Sequence, residues 1–236
     1  MRPSPPAVKG RAPGQPRPRV PSNTVPTAPG SGPGGWLSHG LGSVDCVLIG
    51  LDLDGVVCDL GPGVAARIAD RFGVSSHPDT WRTYDLRLLQ LGVPEAPFQA
   101  FVEELFGDPQ LYDTAPLADG AAWGVARLRQ SGWRVVGITA RPQHLAEVTR
   151  AWLARHGLAL DGVHHTAVGG KSEVARGLGV SVTVEDNPDE AELLGEVCES
   201  WLLDRPYNRD VALTRARRLL SWDDAVGRLC QLRLFA

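Results

Sequence analysis

Two carboxylates stand one residue apart in "VLIGLDLDGVVCDL", residues 47 to 60, where Asp52 and Asp54 close an apolar run. Side chains two apart on a strand share a face, so Val47, Leu48, Ile49, Leu51 and Leu53 predict a buried strand that delivers both acids to one place. Two unscreened charges about 4 Å apart repel by roughly 4 kcal/mol at an effective dielectric near 20, a large share of a domain's marginal stability. A bound hard cation such as Mg²⁺ would compensate, because oxygen ligands at a strand's carboxyl end suit it and Gly55 lets the backbone turn tightly beside them. The plainer alternative is a strand ending in a solvated Asp-Gly turn.

Three further stretches carry chemistry-bearing residues. "ITARPQH" supplies Thr139 and Arg141, with Pro142 at a first-turn position opening a helix, where a hydroxyl and free backbone N–H groups suit a phosphate. "GGKSEV" supplies Lys171, and with only two lysines against 22 arginines in the chain it is the one lysine outside the N-terminal tail. A compact ammonium can neutralise a phosphoryl oxygen without bidentate geometry. "VTVEDNPDE" supplies Glu185 and Asp186 ahead of Asn187 and Pro188, which suit a helix N-cap and first turn. Singly, each reads more readily as a capping residue, a surface lysine or a solvated turn. Together they place a carboxylate pair, a hydroxyl, an ammonium and a second carboxylate pair after four successive strands, which are the parts phosphoryl transfer needs.

The elements that must position them follow from hydrophobic period. Strands are predicted over 46–53, 133–138, 162–166, 181–185 and 200–203, with helices near 119–131, 143–156, 171–178, 188–196 and 222–229. That alternation predicts an α/β fold, a doubly wound parallel sheet, whose ligands bind at the carboxyl ends of the strands. Residues 59–113 interrupt it with about fifty helical residues and no convincing strand, a small helical cap inserted after the first strand and placed to overhang the site. Its aromatics Trp81, Tyr84, Phe98, Phe101 and Phe106 could stack on a substrate or simply pack the insert. Past the fifth strand, Arg205 and Asn208 border the site or serve as turn residues. His164 and His165 are adjacent on a strand, point to opposite faces and lack a partner at metal-ligand spacing.

Composition bounds the rest. At 236 residues and 43% apolar, the chain fits one medium domain plus an extension, residues 44–236 preceded by a tail over 1–43. The tail holds ten of nineteen prolines, five basic residues and no acid, and predicts disorder. The remainder is therefore more acidic than the net charge of −3 and is no general nucleic-acid binder. Four cysteines without CxxC spacing, among them Cys46 and Cys58 beside apolar runs, favour reduced thiols and the cytoplasm. No run approaches a membrane span or a signal peptide, and neither membrane contact nor an oligomeric state is indicated.

The motif order over residues 46 to about 229 resembles the haloacid dehalogenase (HAD) superfamily of phosphohydrolases. "DLDGV" matches its first motif, Thr139 the second, Lys171 the third and "EDNPD" the fourth. The insert, "PLADGA" at 116–121, "ITARP" and "LLDRPYN" at 202–208 are similar to the 5′(3′)-deoxyribonucleotidase type and its bacterial nucleotidase-like relatives. The resemblance implies a hydrolase in which Asp52 attacks phosphorus to give an aspartyl-phosphate and Asp54 serves as acid and then base. It implies Mg²⁺ held by Asp52, by the backbone carbonyl of Asp54 and by Asp186, with Thr139 and Lys171 binding phosphate. Aspartate at 54 favours phosphate over carbon–halogen chemistry. Such relatives usually carry two aspartates in the fourth motif, so Asp186 is the expected ligand, with Glu185 and Arg141 as further candidates. The implied substrate is a nucleoside 5′-monophosphate or a similar small phosphate ester. The competing reading is a non-catalytic HAD-like phosphate binder or adaptor, from which an acid or the lysine would be expected to be missing.

Overall fold

Strands buried on both faces form the centre of the sheet. In the computed structural model, which describes residues 47–235, six parallel strands run in the order β3-β2-β1-β4-β5-β6. They are β1 (Leu48–Leu51), β2 (Arg134–Thr139), β3 (Gly162–His165), β4 (Val182–Glu185), β5 (Glu199–Leu203) and β6 (Arg217–Leu219). Every residue of β1 and β4 is buried, as expected of parallel strands covered on both faces. Leu48 faces a core shared with Val136, Ile138, Ala175 and Leu194, while Ile49, Leu51 and Leu53 face a larger one with Trp152, Trp201 and Trp222. The tail expected over 1–43 and Cys46 lie outside the described residues.

Between β1 and the next strand come α1 (Gly61–Phe72), α2 (Glu95–Leu105) and α3 (Pro109–Asp113), two short 3-10 turns, and α4 (Ala121–Gln130). No strand occurs over 61–113, and Trp81, Leu86, Phe98, Val102 and Leu105 of this insert join the larger core. The remaining helices are α5 (Ala146–Arg155), α6 (Lys171–Leu178), α7 (Pro188–Leu194) and α8 (Trp222–Phe235). α8 seats Trp222 on Gly124 of α4, where a Cβ would overlap the indole ring, and the Trp222 Nε1–H donates to Val56 O at 2.9 Å. None of these helices is long and apolar enough to cross a membrane.

The structure departs from the sequence reading in three places. β6, "RRL", was not expected, because nothing in it alternates; it pairs with β5, with Leu219 buried in the larger core, Arg217 2.9 Å from Glu199 and Arg218 3.1 Å from Asp204. Pro142 does not open α5: a 3-10 turn over Gln143–Leu145 intervenes, so the free N–H groups of that helix begin further along than expected. α8 runs six residues past its expected end at 229.

Candidate active site

β1 lies between β2 and β4, with Leu51 in register with Gly137 on one side and Val184 on the other, so Asp52 emerges at the centre of the sheet's carboxyl edge. Its backbone N–H donates to Val184 O at 2.9 Å. Asp52 and Glu185 are brought together by that register, and Lys171, the first residue of α6, enters between them: Nζ lies 2.9 Å from Asp52 Oδ1 and also on Glu185 Oε1. Glu185 Oε2 accepts the N–H groups of Asp186 and Asn187 at 3.0 and 3.1 Å. All four of these ionisable groups are buried.

Asp52, Glu185 and Asp186 each bring a carboxylate oxygen within 4.8 Å of the others, an arrangement able to hold a metal ion. Three acids thus face one ammonium. Burial pushes the Asp52 carboxyl well above the usual carboxylate range, with Glu185 adding to the shift and Lys171 opposing it. Burial and then the charge of Glu185 lift Asp186 to about 7, against the hydrogen bond from Tyr207. For Lys171 burial acts downward, yet Asp52 and Glu185 outweigh it and hold the ammonium charged. Asp186 Oδ1 is buried with no hydrogen-bond partner, an orphan of the kind a cation satisfies.

Asp54 is gripped by Arg141. Nε donates to both carboxylate oxygens at 3.0 Å and Nη2 to Oδ1 at 2.6 Å, while Nη1 is spent on Thr149 Oγ1 at 3.1 Å. The guanidinium is wholly buried, 4.6 Å from the Tyr112 ring centroid. Arg141, a further candidate beside Thr139, bonds Asp54 and Thr149 in the structure and so braces Asp54. Thr139, fully buried, ends β2, and its Oγ1 accepts the Arg141 N–H at 3.2 Å. His165 stands behind this turn with Nδ1 3.0 Å from Arg141 O.

A further loop completes the cluster. Arg205 Nε donates to Gly55 O at 2.6 Å, Asn208 Nδ2 donates to Asp186 O at 2.8 Å, and the Tyr207 hydroxyl donates to Asp186 Oδ2. Gly55 has φ 78°, and a Cβ there would overlap Asp186 Oδ2 and come within 2.7 Å of the Tyr207 hydroxyl. Tyr84 of the insert meets the Tyr207 ring edge-on at 5.9 Å. Trp81 and Phe98 are buried, and Phe98 and Phe101 meet Phe72 and each other, so these aromatics pack the insert. Tyr207 was missed, although "LLDRPYN" drew attention to Arg205 and Asn208 on either side. Glu190 was missed too; buried on α7, it accepts the Gly169 N–H and fixes the turn that presents Lys171.

Solved structures share this fold. A HAD family hydrolase from Deinococcus radiodurans R1, crystallised with bound phosphate and sodium, is 19% identical with a TM-score of 0.55, over 79% of this chain and 95% of that one. A predicted phosphatase from Clostridium acetobutylicum is 13% identical with the same TM-score, over 78% and 98%. These likenesses concern the architecture alone. Residues 46–235 match the family described as "5′ nucleotidase, deoxy (Pyrimidine), cytosolic type C protein", and the chain belongs to it, a phosphatase of the HAD superfamily. A Halalkalibacterium halodurans protein named "Putative nucleotidase BH1399" is 28% identical over 181 residues, 75% of this chain and 89% of the relative.

Proposed function

We propose that the protein is a Mg²⁺-dependent phosphomonoester hydrolase acting on a nucleoside 5′-monophosphate. The observation that carries this is the buried Asp52, held between Lys171 and the acid cluster at the centre of the sheet edge. Asp52 forms a bond to phosphorus as the ester oxygen leaves, giving an aspartyl-phosphate. Asp54 gives its proton to the departing oxygen. It then takes one from the water that attacks phosphorus and returns Asp52 as a carboxylate. Arg141 holds Asp54 in place through both of its carboxylate oxygens. Lys171 balances the charge of the phosphoryl oxygens, and Thr139 offers its hydroxyl proton to them. Asp52, Asp186 and the Asp54 carbonyl would hold Mg²⁺, which when bound supplies Lewis-acid charge neutralisation between nucleophile and phosphate. Glu185 has its oxygens on Lys171 and two backbone N–H groups, and so serves to aim the lysine.

The nucleotide as substrate is supported by family membership and by Tyr84, 46% exposed and in the field of the acids, which offers a stacking surface beside the site. Cys58, Cys198 and Cys230 are free thiols, which agrees with a cytosolic setting. The test is phosphate release by the full chain with Mg²⁺ across ribo- and deoxynucleoside 5′-monophosphates, sugar phosphates and an aryl phosphate, beside Asp52→Asn. Magnesium-dependent turnover lost in the variant, with nucleotides ranked first, is the expected result. A sugar phosphate ranked first would reject the nucleotide, and no turnover by folded protein would reject the hydrolase mechanism.

A further inference from the structure

We propose that Tyr207 is the positioning residue of the cation site, fixing which oxygen of Asp186 is presented to the ion. This rests on the reading above, in which Asp186 is a ligand. A carboxylate turning about its last torsion exchanges its two oxygens, and a buried one without partners has nothing to choose between them. Here the choice is made: Oδ2 accepts the Tyr207 hydroxyl, and Oδ1 is left buried and unpartnered.

The grip extends to the backbone. Asn208, the next residue, holds Asp186 O at 2.8 Å, so adjacent residues fix the main chain and the side chain of the same acid. Asn208 is itself fully buried and also donates to Leu203 O at 2.9 Å, which fastens the loop to the end of β5. Arg205 ties the loop's other end to Gly55 O, and Gly55 lacks the Cβ that would push Asp186 off Tyr207. Tyr84 closes the far side of the Tyr207 ring. Outer-shell donors of this kind orient metal-binding carboxylates, and their loss typically costs about 10- to 100-fold in metal affinity.

Mn²⁺ binding to the full chain, followed by the electron paramagnetic resonance of the free ion with Mg²⁺ as competitor, tests this without recourse to turnover. Tyr207→Phe keeps the ring and removes the hydroxyl, and it should weaken Mn²⁺ binding at least about tenfold. The upward shift of Tm by the cation should move to correspondingly higher concentration, whereas a merely structural loss would lower the cation-free Tm and leave affinity alone. Affinity unchanged or tighter overturns the proposal. Failure of the wild type to bind Mn²⁺ would instead overturn the cation reading beneath it. Should Tyr207→Phe not fold, Tyr84→Leu removes the ring that holds Tyr207 while keeping its hydroxyl. Lowered affinity is then expected, and unchanged affinity overturns the proposal.

Discussion

Arg141 spends its guanidinium inside the protein, and that decides how Asp54 behaves. Nε and Nη2 hold both carboxylate oxygens in a fork that an ammonium cannot reproduce. Arg141→Lys should therefore cost about 1–3 kcal/mol, in the range for a hydrogen bond to a charged group, and should lower kcat more than it raises KM, as denaturant titration and steady-state kinetics would show. Gly55 carries a second prediction at this scale. Alanine at φ 78° pays about 1–2 kcal/mol for the left-handed backbone and also strikes Asp186, so Gly55→Ala should lower both stability and cation affinity. The acids and Thr139 drew attention because each follows an apolar run that names its strand, and Lys171 because it is the one lysine outside the N-terminal tail. The Arg141–Asp54 clamp, spanning 87 positions, and the Tyr207–Asp186 bond, spanning 21, were not, since nothing local in "TARP" or "RPYN" names a distant partner.

At the scale of elements, α7 does more than cover the sheet. Glu192 on its outer side accepts the Thr214 hydroxyl and the N–H groups of Thr214, Arg215 and Ala216, and so delivers the chain to β6. Chiefly through the Thr214 hydroxyl, these bonds depress the Glu192 carboxyl from 4.5 to about 2. A depressed acid stabilises the fold above its unfolded pKa, and that contribution fades as pH falls from about 4.5 towards 2. Urea titrations should thus find Glu192→Gln less stable than wild type at pH 7 and the gap narrowed at pH 3; a constant gap would remove the charge from the account. The same contacts explain why β6 could not be read beforehand. β1, β2 and β4 announce themselves by runs of apolar residues that the sheet buries, whereas "RRL" offers one core residue, Leu219, beside two ion-paired arginines, on a loop held from another helix.

Across the whole molecule, the site concentrates a cost that the remaining fold carries. Asp52, Glu185 and Asp186 are set in the protein interior against Lys171, leaving the cluster with excess negative charge unless a cation joins it. Function and stability should then pull in opposite directions at Asp186. Asp186→Asn removes one buried charge, keeps an oxygen able to accept from Tyr207, and creates no cavity. In chelator at pH 8 the variant should melt above the wild type. In saturating Mg²⁺ the order should reverse, because the wild type gains about 2.7 kcal/mol at a hundred times its Kd while the variant binds weakly. Thermal unfolding of both proteins in the two buffers provides the four values needed. A wild type that is the more stable in chelator would mean that Lys171 and the backbone donors already neutralise the cluster, and that the cation acts on the reacting phosphate without relieving strain in the fold.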